Sequence, residues 1–68
     1  MIKAEIIKIH KSQEDVFPVG DIVFLSDDGK TVYQVDQNDL QIIQSYRTKD
    51  LTKAFSDNYP LSKIFKKL

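Results

Sequence analysis

The fold of this 68-residue chain is decided by Gly20-Asp21-Ile22-Val23-Phe24-Leu25-Ser26-Asp27-Asp28-Gly29-Lys30-Thr31-Val32-Tyr33-Gln34-Val35. Two runs rich in β-branched and aromatic residues, 21–26 and 31–36, flank a cluster of aspartates and a glycine. Aspartate tolerates turn geometry and glycine supplies a positive φ, so the pattern predicts a β-hairpin. The protein is therefore expected to be mainly β.

The turn of this hairpin can be interpreted in two ways. A two-residue Asp28-Gly29 loop places Ile22, Phe24, Tyr33 and Val35 on one face. A three-residue Asp27-Asp28-Gly29 loop, with Gly29 left-handed in a bulge, instead groups Val23, Leu25, Tyr33 and Val35. The second interpretation is preferred, because it leaves Gln34 facing outward.

Further strands are predicted on both sides of the hairpin. Residues 2–6 alternate apolar and polar side chains, as a half-buried strand does. Residues 11–19 form a long polar loop that Phe17 and Val19 are expected to anchor. Residues 40–46 follow a turn cluster that could cap a helix, but adjacent isoleucines and a tyrosine favour a strand.

The C-terminal segment 47–68 is predicted to be a helical tail. Thr48 is a candidate cap, and Leu51, Ala54 and Phe55 have helical spacing. Pro60 suits the first position of a second helix. Its apolar stripe would recur at i, i+3, i+4 and i+7, at Leu61, Ile64, Phe65 and Leu68. This stripe is expected to pack back on the strands of residues 1–46, although docking into a partner or a twin subunit, or lying on a membrane surface, stays open.

The order of elements over residues 1–46 resembles a Src-homology-3-like (SH3-like) small barrel. The resemblance rests on Gly20-Asp21-Ile22-Val23 and on the turn Asp27-Asp28-Gly29-Lys30. It implies four or five strands curled into a barrel, which the predicted tail of one or two short helices would follow. Such barrels usually bind peptides, nucleic acid or other proteins rather than catalyse. The peptide-binding branch of these barrels has a tryptophan near an aromatic loop, and this chain has no tryptophan. The ribosomal and transcription-factor branch is rich in lysine and glycine, and this chain has only two glycines. The binding mode of neither branch therefore carries over.

Composition excludes several classes of protein. There is no cysteine, so neither disulfides nor a thiolate zinc site can support the core. The longest apolar run, 22–25, is far shorter than the roughly 20 residues that span a membrane. We expect a single cytoplasmic domain. Nine lysines against one arginine, with eight isoleucines, hint at a low-GC bacterium or its phage.

Few residues could support catalysis. His10 is the only histidine, and nothing in the sequence supplies it with a partner or a substrate. The acidic pairs lack the ordered spacing of a calcium loop, and two glycines cannot build a phosphate-binding loop. We therefore expect no enzyme activity, no metal and no cofactor.

The expected function is a non-enzymatic binding or regulatory module for an unknown protein partner, encoded by a phage or prophage. The chain would be a monomer or a weak homodimer. Aromatic side chains dominate interface energetics, so the candidate contacts are Phe17, Phe24, Tyr33, Tyr46 and Tyr59.

The alternative function is nucleic-acid binding through the basic C-terminal segment. Residues 1–47 carry five basic and eight acidic groups, whereas residues 48–68 carry five basic and two acidic. Phosphate neutralisation would supply most of the affinity, although a net charge of zero argues against this as the main role. The candidate residues are Arg47, Lys49, Lys53, Lys63, Lys66 and Lys67.

Overall fold

The computed structural model describes residues 1–68 and contains one five-stranded antiparallel sheet. One short α-helix follows the fourth strand, and single 3-10 turns lie at Lys11–Gln13 and Leu61–Lys63. The regular elements are β1 (Ile2–Ile6), β2 (Ile22–Leu25), β3 (Thr31–Val35), β4 (Ile42–Arg47), α1 (Thr48–Lys53) and β5 (Phe65–Lys67).

The sheet is open rather than closed. Its strand order is β4-β3-β2-β1-β5, so β1 to β4 form a meander and β5 returns beside β1. β4 and β5 are the two edges and do not pair with each other. The expected mainly β architecture is confirmed, but the closed barrel is not formed.

The hairpin register differs from the preferred interpretation. Phe24 pairs with Tyr33 and Leu25 pairs with Val32, and Ser26 and Thr31 close the ladder. Four residues, 27–30, remain in the turn. Because a four-residue turn and a two-residue loop centred on Asp28-Gly29 pair the same residues of the two strands, both place the same side chains on each face. The grouping of Ile22 and Phe24 with Tyr33 and Val35 is therefore correct, and the grouping with Val23 and Leu25 is wrong.

Hydrogen bonds accepted by an aspartate side chain explain the longer turn. The Asp28 carboxylate accepts from the Ser26 hydroxyl at 2.6 Å and from the Lys30 N–H at 3.0 Å. Gly29 has a φ of +73° and donates its N–H to the Ser26 carbonyl. This left-handed residue reverses the chain, as expected from its glycine.

The second helix predicted in the tail is not formed. Pro60 precedes the 3-10 turn, and residues 65–67 then form β5, which pairs with Ala4, Glu5 and Ile6 of β1. A strand satisfies the free edge of β1, whereas a helix would leave its backbone groups unpaired. Ile64 and Phe65 are still buried as expected, but Leu68 is exposed.

The core lies on one face of the sheet, which we call the core face. It is covered by the loop before β2, by α1 and by the segment before β5. Phe17 is buried there as expected, whereas Val19 is 61% exposed and anchors nothing. Nine residues form the core cluster: Ala4, Ile6, Phe17, Val23, Leu25, Val32, Leu51, Ile64 and Phe65.

Candidate functional site

The opposite face of the sheet, which we call the open face, is apolar at its centre. Side chains alternate between the two faces of a strand and are shared across paired residues. Phe24 and Tyr33 therefore lie side by side on the open face. Ile22 and Val35 continue the two strands on the same side. A register shift at Val35 also brings both Ile42 and Ile43 of β4 to this face.

The apolar residues of the open face lie outside the core cluster, although Val35 is itself buried, at 3% exposure. Neither the core cluster nor the half-buried side chains packed against it include any of them. Six large hydrophobic residues of the chain are exposed, and the strand ladders place all but Val19 on the open face or at its ends. The five are Met1, Ile7, Ile42, Ile43 and Leu68.

Charged side chains surround this apolar surface. Lys3 pairs with Phe24 in the ladder, and Arg47 pairs with Thr31 near the end of β4. Glu5 lies between Ile22 and Lys66, which are its partners on the two sides. Three basic groups against one carboxylate leave the rim positive. A complementary surface would be apolar and would carry carboxylates.

The five predicted aromatic contacts fall into three groups. Phe24 and Tyr33 are half-buried on the open face. Phe17 is buried under the core face, and Tyr46 meets its ring edge-on at a centroid distance of 5.1 Å. Tyr59 lies elsewhere, in contact with Phe55. The structure therefore places only Phe24 and Tyr33 together on the open face, whereas Phe17 and Tyr46 contact each other on the core side.

The Tyr59 ring belongs to an aromatic cluster with lysines above it. It stacks on Phe55 with centroids 4.3 Å apart, and His10 approaches Phe55 edge-on at 5.5 Å. Lys8 Nζ lies 5.4 Å from the Phe55 ring and Lys63 Nζ lies 5.7 Å from the Tyr59 ring. Through these contacts Tyr59 and Phe55 pack the tail against Lys8 and His10 of the segment after β1.

His10 is tied to its own loop. Its Nδ1 accepts from the Ser12 N–H at 3.1 Å and lies 2.8 Å from the Ser12 hydroxyl. This arrangement caps the 3-10 turn at Lys11–Gln13. No group of three or more histidine, cysteine, aspartate or glutamate side chains comes together in the structure.

The predicted basic residues are dispersed. Lys66 lies on the open face and Lys67 borders a groove on the core side, so adjacent residues serve opposite faces. Lys53 ends α1, and Lys63 lies over Tyr59. Only Arg47 and Lys49 come together; with Lys30, Thr31 and Thr48 they line a groove of about 560 Å³.

A second groove of about 530 Å³ lies between the β2–β3 turn and the tail. It is apolar on one side, where Leu61 and Phe65 meet Leu25, and polar on the side of the turn. Asp28 stands at this rim. The hydrogen bond from the Ser26 hydroxyl, and to a smaller extent the one from the Lys30 N–H, lower the pKa of the Asp28 carboxyl below its ordinary value of 3.8.

Sequence reasoning missed most of the open face. The sequence predicts a strand that contains Ile42 and Ile43 but does not say which face they occupy. It predicts Leu68 on the apolar stripe of a helix. A signal was present in 22–25, where every residue is apolar, because a strand with only one buried face normally alternates.

No helix of the structure is both long enough and apolar enough to cross a membrane. Comparison with known proteins found no matching family model, no matching curated protein and no matching solved structure.

Proposed function

We propose that this chain is a non-catalytic protein-binding module and that the open face is its docking surface. The observation that carries the proposal is the position of the exposed hydrophobic residues: by the alternation of side chains, five of six lie on the open face or at the ends of its strands. Contiguous apolar surface with a polar rim is typical of interaction sites. Scattered exposure would carry no such meaning.

The partner surface is apolar with carboxylates at its margin. Lys3 and Arg47 stand on either side of the Phe24–Tyr33 pair, and only Glu5 opposes them. Rim charges of this kind act mainly on the association rate, which falls as salt increases. The central aromatic pair would contribute most of the binding free energy.

The SH3-like assignment is part of the same proposal. The meander of β1 to β4 and the return of β5 beside β1 support it, as does the long loop between β1 and β2. Fold alone does not determine function, so the docking surface is argued from its side chains. A phage or prophage origin is proposed only on the lysine-rich and isoleucine-rich composition.

Two matched variants test the docking surface. Leu68 on the open face and Val19 away from it are 60% and 61% exposed. Leu68→Lys should abolish retention of a partner that the wild-type chain retains, whereas Val19→Lys should not. Tyr33→Ser should act like Leu68→Lys. Equal retention by all variants that stay folded by circular dichroism would contradict the proposal.

Nucleic-acid binding remains a second candidate because Lys30, Arg47 and Lys49 share one groove. Its affinity for a mixed oligonucleotide should fall steeply with salt. Replacing Arg47 and Lys49 by Gln should weaken binding, while Lys53→Gln should have little effect. Absence of binding at low salt would exclude this candidate.

A further inference from the structure

The two edge strands of the sheet, β4 and β5, differ in how readily they can pair with a further strand. β5 has only three residues, two of them lysines, and short lysine-bearing edges resist pairing. β4 has six residues, contains neither proline nor lysine, and pairs only with β3. All of its side chains except Tyr46 are exposed. Apart from the bulge at Ile42 and Ile43, β4 is therefore an edge that can accept another strand.

Hydrogen bonding identifies which backbone groups of β4 are free. The Thr48 N–H donates to the Lys30 carbonyl at 3.0 Å. Because bonded residues alternate along an antiparallel ladder, Tyr46 and Gln44 also bond to β3. The N–H and C=O groups of Ser45 and Arg47 point away from the sheet.

We propose that β4 pairs antiparallel with β4 of a second copy of this chain, with the two-fold axis at Ser45. Ser45 then exchanges two backbone hydrogen bonds with Ser45 of the second copy. Arg47 lies across from Ile43 of the second copy, and Ile43 from its Arg47. The outward N–H and C=O groups of Ser45 are then both used.

Self-complementarity is what selects a second copy. In this register the single charged residue of β4 faces an aliphatic side chain, and no like charges stand opposite each other. The chain has no net charge, so two copies do not repel. Small serine side chains meet at the axis without crowding.

Pairing also joins the two open faces. Ser45, Arg47 and Ile43 lie on the open face, so two five-stranded sheets become one ten-stranded sheet with a single apolar side. The exposed isoleucines of both copies then come near the centre. The inference stands on the edge of β4 alone and does not require the open face to bind a partner.

Cysteine cross-linking tests the register directly, because the chain contains no cysteine. Hydrogen-bonded antiparallel partners have Cα atoms about 5.5 Å apart, within the range that a disulfide spans. Ser45→Cys should oxidise to a covalent dimer about tenfold faster than Ser56→Cys, an exposed control outside the sheet. Equal rates would overturn the proposal.

Amide hydrogen exchange of the wild-type chain gives a second readout. The Ser45 N–H should be protected at high protein concentration and lose protection on dilution. The Tyr46 N–H, bonded to β3, should be protected throughout. A Ser45 N–H that exchanges freely at about 1 mM protein, in the range of weak association, would overturn the proposal.

Charge repulsion separates this inference from the proposed function. Ser45→Lys places two ammonium groups opposite each other and should weaken the dimer about fivefold or more in sedimentation. Leu68→Lys, at the far edge of the open face, should leave the dimer unchanged. A dimer weakened by Leu68→Lys and not by Ser45→Lys would contradict pairing through β4.

Discussion

Phe24 lies directly across from Tyr33 in the ladder between β2 and β3, and neither ring packs against the core cluster. The same register pairs Leu25 with Val32 on the core face. Two adjacent strands therefore carry apolar side chains on both faces, although the core cluster includes only those of one face. This is the relationship from which the docking surface is inferred.

The register of the hairpin can be tested at Val32. Val32 is fully buried, so Val32→Thr places a hydroxyl in an apolar site and should lower the free energy of unfolding by about 1–3 kcal/mol. Val19→Thr, at an exposed position, should change it by less than about 0.5 kcal/mol. Urea denaturation measures both. Had the preferred sequence interpretation been right, Val32 would face outward and the two variants would behave alike.

The contribution of the C-terminal segment to the core can be tested at Ile64. Ile64 is buried and its neighbour Phe65 pairs with Ile6. Ile64→Ala should lower the free energy of unfolding by about 2–5 kcal/mol. Ile43→Ala removes the same atoms from a side chain that is 60% exposed and should cost well under half as much. Similar losses for the two would show that the faces are assigned wrongly.

The hydroxyl of Thr48 links the start of α1 to the β2–β3 turn by a hydrogen bond. Thr48 is buried, and its Oγ1 donates to the Gly29 carbonyl at 2.7 Å. Thr48→Val keeps the shape but removes the donor, so we expect a loss of about 1–2 kcal/mol of unfolding free energy. Thr48→Ser keeps the hydrogen bond and serves as the control. Chemical denaturation in which the serine variant is the less stable of the two would contradict this role.

The Asp28 turn makes a pH-dependent contribution to stability. Hydrogen bonds hold the pKa of the Asp28 carboxyl below 3.8 in the folded chain. The bond from the Ser26 hydroxyl has the larger effect and the bond from the Lys30 N–H the smaller one. A lowered pKa means that the contribution is complete above pH 3.8 and is lost as the pH falls through the folded value.

Removing the main hydrogen-bond donor should therefore move the titration. In Ser26→Ala the pKa of Asp28 should rise toward 3.8, which NMR titration of the carboxyl carbon would detect. The difference in unfolding free energy between the wild type and Ser26→Ala should narrow as the pH is lowered below 3.8. An unchanged Asp28 titration would show that Ser26 is not the cause.

Local patterns predicted β1 to β4 and α1 because the signals of these elements are local. Alternation over 2–6, the Asp-Asp-Gly turn and the isoleucines at 42 and 43 each favour a strand or turn without reference to distant residues. The helical spacing from Leu51 likewise predicted α1, but Thr48 is the first residue of the helix and not its cap, which is Arg47. Of the proposed docking surface, the sequence singled out Phe24 and Tyr33, since aromatic residues are recognisable contacts wherever they lie.

The covered face and the last strand were decided by tertiary structure. Residues 22–25 are apolar at every position, so alternation could not choose between Val23 and Phe24 as core. Phe17, Leu51 and Ile64, distant in sequence, cover one side, and the core cluster includes no residue of the other. The stripe ending at Leu68 fits a helix equally well, and only the unpaired edge of β1 made residues 65–67 a strand. Burial and strand pairing depend on which segments meet in space, which residue spacing along the chain does not encode.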